Sequence, residues 1–291
     1  MSRLLPDPPL LVEIGRQSIR VSAPGGAPQS VQLTTPGATP DAPPGMEAAV
    51  FSWDAALAAL EPLVRRLRPK RAVLNIVLSD AWLRYFVIDW PAQKLAPDEA
   101  AAFAAQAFSR VYEQAAGNWR LVTVPAGRGG QRLLCGMERG IVAALDELAL
   151  RCGWQIDRLT GGFAAAFDLA APLIGGIGGD TGYFVFSGDG MAHCARLEGG
   201  ALMLVRGQAM VHNDAASRAA LARRCAAVGP PDALRDPVSL LLIDCDPADF
   251  PVHVSSEVSA GAARNLRREL SGAKHRGNRF LSELGRVWHA A

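Results

Sequence analysis

Twice along this chain a short β-hairpin carrying a glycine opens a run of further strands and then a helix, and a glycine run separates the two copies. That repetition constrains the fold strongly: each copy must bury one face of a mixed sheet against helices, which makes the chain an α/β duplication. The first copy opens at residues 10–22 (LLVEIGRQSIRVS), two β-type runs around Gly15-Arg16-Gln17. The second opens at Tyr183–Ser187, turns at Gly188-Asp189-Gly190, and continues through Met191–Leu197 and Ala201–Val205 as a meander. The run Gly175–Gly179 is the expected boundary between halves.

Residues 24–48 hold six Pro and four Gly, which leaves room only for a short strand at Ser30–Thr34. Ser52 caps an expected helix with Trp53, Leu57, Leu60, Val64 and Leu67 at helical spacing, kinked at Pro62. Arg71–Ser79 and Trp82–Trp90 read as two strands joined at Asp80-Ala81. Pro97-Asp98-Glu99 starts a helix that runs to about Tyr112, with proline pre-set for the first turn and two acids at the positive dipole end. Trp119–Val124 and Arg132–Met137 flank a glycine-rich turn as a hairpin. Glu138–Cys152 is an amphipathic helix closed by Gly153, followed by a strand at Trp154–Leu159 and a helix at Phe163–Leu169. Farther on come a helix at Ala215–Val228, an apolar strand at Ser239–Asp244, a basic helix at Ala260–Leu270 and an arginine-rich tail. The expected domains are therefore 1–90 with 138–175, an inserted small α+β subdomain at 91–137, and a second half at 176–291.

With 49% apolar and 20% charged residues among 291, the chain has the material for a large core. Thirty Lys+Arg against 28 Asp+Glu leave +2, too small an imbalance for nucleic acid held by charge. Five cysteines without a C-x-x-C pair exclude a common zinc spacing and predict free thiols in a reducing compartment. Pro6, Asp7, Pro8 and Pro9 interrupt any signal-peptide run, and no stretch approaches the roughly 18 apolar residues a membrane helix needs. The expectation is a soluble cytoplasmic protein that reaches the membrane only through a partner.

Glu13-Ile14-Gly15 and Asp180-Thr181-Gly182 each set an acid two residues before a glycine at a hairpin, where backbone N–H groups approach phosphate and the acid holds a hydrated magnesium ion. Other signals carry less. Asp244-Cys245-Asp246 mimics a phosphatase D-x-D start but lacks the lysine and acidic pair that must follow. The Gly175–Gly179 run is followed by a strand where a dinucleotide site needs a helix. His193, His212, His253, His275 and His289 are dispersed, so no metal site is expected, and no G-x-S-x-G surrounds a serine.

Glu13-Ile14-Gly15-Arg16-Gln17-Ser18-Ile19-Arg20 resembles the D-I-G-S-S-S-V-K opening of the PilM-type proteins of type IV pilus assembly. Asp180-Thr181-Gly182, trailed by Arg196-Leu197-Glu198-Gly199-Gly200, is similar to that family's second phosphate hairpin. Cys152-Gly153-Trp154-Gln155-Ile156 resembles its helix-to-strand passage, and Leu78-Ser79-Asp80 through Asp89-Trp90-Pro91 resembles the cytoplasmic part of GspL-type secretion proteins. The resemblance implies an actin-like (RNase H-like) duplicated fold. It also implies a cytoplasmic scaffold without catalytic residues, recruited to the inner membrane by the short cytoplasmic tail of a pilus or secretion platform protein.

Four departures point to a degenerate nucleotide site. Glu13 replaces the family's Asp, Arg16 and Gln17 replace small cradle residues, Tyr183 follows the second glycine, and no glycine turn follows Leu240–Asp244. Nucleotide-site remnants are then Glu13, Gly15, Asp180 and Gly182, with no cofactor and no metal expected. The alternative reading is an actin-like ATPase or kinase using ATP, with Glu13 and Asp180 at magnesium. Partner binding is expected beside the 91–137 subdomain, through Phe103, Phe108, Val111 and Tyr112.

Overall fold

The computed structural model describes residues 8–33, 53–68, 71–126, 130–174, 181–199, 201–210, 220, 239–244 and 253–256. The expected helix at Ala215–Val228, apart from Ala220, the one at Ala260–Leu270, the tail, and the Gly175–Gly179 run lie outside these.

The first sheet forms from β1 (Leu10–Ile14), β2 (Ser18–Ser22), β3 (Gln29–Gln32), β4 (Val73–Leu78) and β8 (Gln155–Gly161), in the order β3-β2-β1-β4-β8. The first three strands form an antiparallel meander, and β4 then lies parallel to β1. A parallel pairing requires a crossover, supplied by α1 (Trp53–Leu67), which buries Ala56, Leu60, Leu63 and Val64 and carries Pro62 within it. Alternation in β1 sends Leu10, Val12 and Ile14 into the core and leaves Leu11 and Glu13 on the other face.

A second sheet repeats this plan with β9 (Thr181–Gly188), β10 (Met191–Glu198), β11 (Ala201–Ala209), β12 (Ser239–Asp244) and β13 (His253–Ser256), in the order β11-β10-β9-β12-β13. Again the hairpin and meander come first, and again the fourth strand pairs parallel to the first. The copies differ at the fifth strand: β8 runs parallel to β4, and β13 runs antiparallel to β12.

The third sheet, β5-β7-β6, combines β5 (Leu83–Asp89), β6 (Trp119–Pro125) and β7 (Gln131–Glu138). It begins before residue 91, where the insert was expected, because β5 pairs along its whole length with β7, from Leu83↔Met137 to Asp89↔Gln131. The two strands expected to flank Asp80-Ala81 thus belong to different sheets, separated by the single 3-10 turn Asp80–Trp82.

Period-2 alternation divides the faces of this sheet. Leu83, Tyr85, Leu133, Cys135 and Met137 join the main core, while Phe86 and Leu134 pack with Ala104, Phe108 and Trp119 under α2 (Pro97–Tyr112). Then α3 (Arg139–Cys152) returns to the first sheet and ends at Gly153, whose φ of 67° is the left-handed cap expected there. Finally α4 (Gly162–Ile174) packs between the first and second sheets.

Among the described residues no helix is long and apolar enough to cross a membrane. Cys135, Cys152 and Cys194 are buried, with no disulfide among the described residues; Cys225 and Cys245 lie outside them. Thiol titration in denaturant without reductant is expected to find all five, and a count of three or one would refute the free-thiol reading.

Candidate functional site

Two hairpin turns meet where the halves face each other. The β1–β2 turn runs through Gly15, Arg16 and Gln17, and the β9–β10 turn through Asp189 and Gly190. The Arg16 backbone N–H donates to Asp189 Oδ2 at 2.7 Å, so the second half supplies a carboxylate to the first half's turn. The Ser79 N–H donates to the Ile14 carbonyl at 2.9 Å. Burial raises the Asp189 carboxyl, and the Ser79 hydroxyl, the Arg16 N–H and the Arg16 charge pull it back down.

Glu13 lies on the opposite face of β1 from Val12 and Ile14, across from Arg20 on β2, with Arg20 Nη1 3.8 Å from its Oε2. Half-burial raises its carboxyl and the Arg20 charge lowers it. The structure therefore places Glu13 in a cross-strand ion pair. It brings Gly15 together with Asp189. Gly182 sits opposite Leu197, six residues before Gly188 and about 20 Å along the strand from the turn. Asp180 lies outside the described residues, and Tyr183 is buried.

Behind the turns lies a polar junction that sequence reasoning missed. Asp80, 2% exposed, follows β4; Tyr85 comes from the third sheet, and His193 from the second. The Tyr85 hydroxyl donates to Asp80 Oδ1 at 3.0 Å, and the Phe163 N–H, in the first turn of α4, donates to Oδ2 at 2.6 Å. His193 Nδ1 is 3.7 Å from the same Oδ2, and its ring meets Tyr85 edge-on at 5.3 Å. Burial pushes the Asp80 carboxyl up to about 7, against the Phe163 and Tyr85 hydrogen bonds that hold it down, and the Asp189 charge adds to the rise. Burial, helped by the Arg84 charge, lowers His193 to about 3, so the imidazole is neutral near pH 7. A neutral ring and a carboxylate that titrates near neutrality join three sheets at one point.

The junction left a faint signal, Ser79-Asp80 directly after an alternating buried strand. His193 left none. The Gly188-Asp189-Gly190 turn was legible, but its partner across the halves was not.

The residues expected to bind a partner separate. Phe108 has no exposed surface and packs against Phe86, Tyr112 and Trp119, which corrects its assignment to a groove: an apolar helix face is filled by its own sheet first. Tyr112 is partly buried against the same cluster, its hydroxyl donating to the Tyr85 carbonyl at 3.0 Å. Phe103 is half-buried edge-on to Trp90, and Val111 alone of the four is exposed, at 51%.

A cavity of about 560 Å³ does open between the third sheet's unit and the start of α3, lined by Arg84, Gln114, Ala115, Gly117, Asn118, Trp119, Glu138, Arg139 and Gly140. Among the described residues no group of three or more His, Cys, Asp or Glu is placed to hold a metal.

No family model and no curated protein matches this chain. Among solved structures, a Bacteroides thetaiotaomicron protein of unknown function with an actin-like ATPase fold aligns with TM-score 0.50 at 11% identity, over 90% of this chain and 86% of that one. That likeness, with the repeated sheet order, makes this an actin-like fold. The cytoplasmic domain of EpsL, an inner membrane component of the type II secretion system of Vibrio cholerae, aligns at TM-score 0.47 and 14% identity, over 91% of this chain and 95% of that one. A chain of the PilM–PilN type IV pilus biogenesis complex aligns at 0.48 and 18%, over 69% of this chain and 61% of that one. This chain thus spans about three-fifths of the length of that one.

Proposed function

We propose that this chain is a non-enzymatic scaffold of a type IV pilus or type II secretion assembly platform, held at the inner membrane by the short cytoplasmic tail of a membrane partner. The observation that carries this reading is the hydrogen bond from the Arg16 N–H to Asp189 Oδ2 at 2.7 Å. The backbone donor that a glycine hairpin offers to a phosphate is engaged by the protein's own carboxylate, and an entering phosphate meets a negative charge in its place. Glu13 is drawn into an ion pair with Arg20. These residues do not fit ATP–magnesium. The motif resemblances at 13–20, 152–156 and 180–200 support the pilus or secretion assignment. On this reading the tail docks in the cavity that runs from Gln114–Trp119 to Glu138–Gly140.

Such a groove captures a peptide by backbone hydrogen bonds and a few side-chain anchors, without catalytic residues. The test is capture of the tail peptide of a candidate inner-membrane platform protein by the full chain. Replacing exposed Gln114 and Asn118 together with Asp is expected to weaken capture by about tenfold or more with circular dichroism unchanged. ATP–magnesium is expected to bind no tighter than about 1 mM; low-micromolar affinity, worth about 8 kcal/mol, overturns the reading in favour of an ATPase.

A further inference from the structure

We infer that the cavity between the small unit and α3 is a carboxylate-binding pocket, anchored by Arg84, that takes an acidic side chain of the partner's tail. The inference rests on the scaffold reading for the partner, but the pocket chemistry stands on its own geometry.

Arg84 follows the turn after β4, and the alternation of β5 turns it away from the main core, toward α2. Its guanidinium stacks 5.3 Å from the Trp119 ring centre and 6.0 Å from that of Tyr112. Nη1 donates to the carbonyls of Leu83 at 2.9 Å and Ala81 at 3.2 Å. Two aromatic faces and two carbonyls thus fix the plane of the guanidinium before any ligand arrives, so little side-chain entropy remains to be lost on binding.

Among the described residues no carboxylate lies within ion-pair distance of Arg84, and Nε and Nη2 have no partner. An oriented guanidinium with two free donors on the wall of a cavity matches the fork of a carboxylate. The other charges lining the cavity are Arg139 and Glu138, both exposed, so the lining keeps one net positive charge. The volume, about 560 Å³, accommodates an acidic side chain with its flanking backbone. Gln114 and Asn118 line the rim with amide groups suited to that backbone.

The test titrates N-acetyl-glutamate amide, N-acetyl-glutamine amide and inorganic phosphate into the full chain, following the amide resonances of Gly117, Asn118 and Gly140. The glutamate probe is expected to shift them with a millimolar dissociation constant, and the glutamine probe to bind about tenfold more weakly or worse. Equal binding of both probes, or phosphate binding tighter than the glutamate probe, overturns the carboxylate assignment. Arg84→Gln is expected to lose the glutamate probe by about tenfold or more. Because Arg84 also holds two carbonyls, a second variant is needed: Gly140→Asp adds a carboxylate where a new Cβ meets nothing within 4 Å, and is expected to repel the probe without disturbing the fold. If both variants fold and bind the glutamate probe like the parent, the pocket assignment is wrong.

Tail capture separates the two readings. Failure of any platform tail to bind counts against the scaffold and leaves the probe titration standing. Full capture by an Arg84→Gln variant that has lost the probe overturns only the assignment of the pocket to the tail.

Discussion

Replacing Gly161 by alanine is expected to cost about 3–5 kcal/mol of folding stability, near the upper end for a single added methyl group. Gly161 ends β8 where the backbone passes against the polar junction. A Cβ there would stand 2.6 Å from Asp80 Oδ1 and 2.9 Å from Leu83 Cδ2, and would overlap the Tyr85 hydroxyl. None of these neighbours is a free side-chain end. Asp80 is held by Tyr85 and by the Phe163 N–H, and Tyr85 is 2% exposed. Relief therefore requires separating the Tyr85–Asp80 hydrogen bond inside the core, which leaves a buried carboxylate short of a donor. Gly140→Ala is the matched control, since its new Cβ meets nothing within 4 Å, and it is expected to stabilise by up to about 1 kcal/mol. Urea midpoints of the two variants and the parent decide the matter. A Gly161→Ala variant within about 1 kcal/mol of the parent would mean that the three sheets do not meet as described.

Stability should also respond to pH through the same junction, with two opposed contributions. Asp80 titrates at about 7 in the folded chain and near 3.8 when unfolded, so between those values the native state keeps a proton that the unfolded chain has released. Stability from this group falls as pH rises across that window, by about 4 kcal/mol in all. His193 is lowered to about 3 from 6.5, so the unfolded chain takes a proton that the native ring refuses. Its contribution is therefore present above about pH 6.5 and lost as pH falls toward 3, by about 5 kcal/mol.

In the parent the two largely cancel between pH 4 and 6.5. Asp80→Asn removes one of them. The asparagine oxygen accepts from the Phe163 N–H while its NH2 donates to a Tyr85 hydroxyl that now accepts, so the junction stays satisfied. The variant's stability is expected to climb steeply from pH 4 to 6.5, and its difference from the parent to change by about 4 kcal/mol between pH 4 and 8 in favour of the variant. Denaturant midpoints at four pH values measure this. A difference that does not vary with pH would show that Asp80 titrates like an exposed carboxyl.

Much of this architecture was written locally. The 10–22 hairpin, the start of α2 at Pro97, and the closure of α3 by Gly153 at φ 67° each depend on a few adjacent residues whose backbone preferences act without help from the rest of the chain. The duplication was legible for the same reason, since each copy repeats its own hairpin and apolar periodicity.

Tertiary structure alone decided that β5 leaves the first half for the third sheet, because strand partners are chosen by distant segments and β7 is more than forty residues away. It decided too that Phe108 fills a core, with Tyr112 packed on its edge, while Arg84 faces a cavity, since a helical or strand period marks a face without naming what covers it. Above all it set Asp189 against the first glycine turn, with Gly182 at the far end of β9, and gathered Asp80, Tyr85 and His193 in one dry site. The ionisation of those groups comes from desolvation, a property of the assembled surroundings that no residue carries in its own sequence neighbourhood.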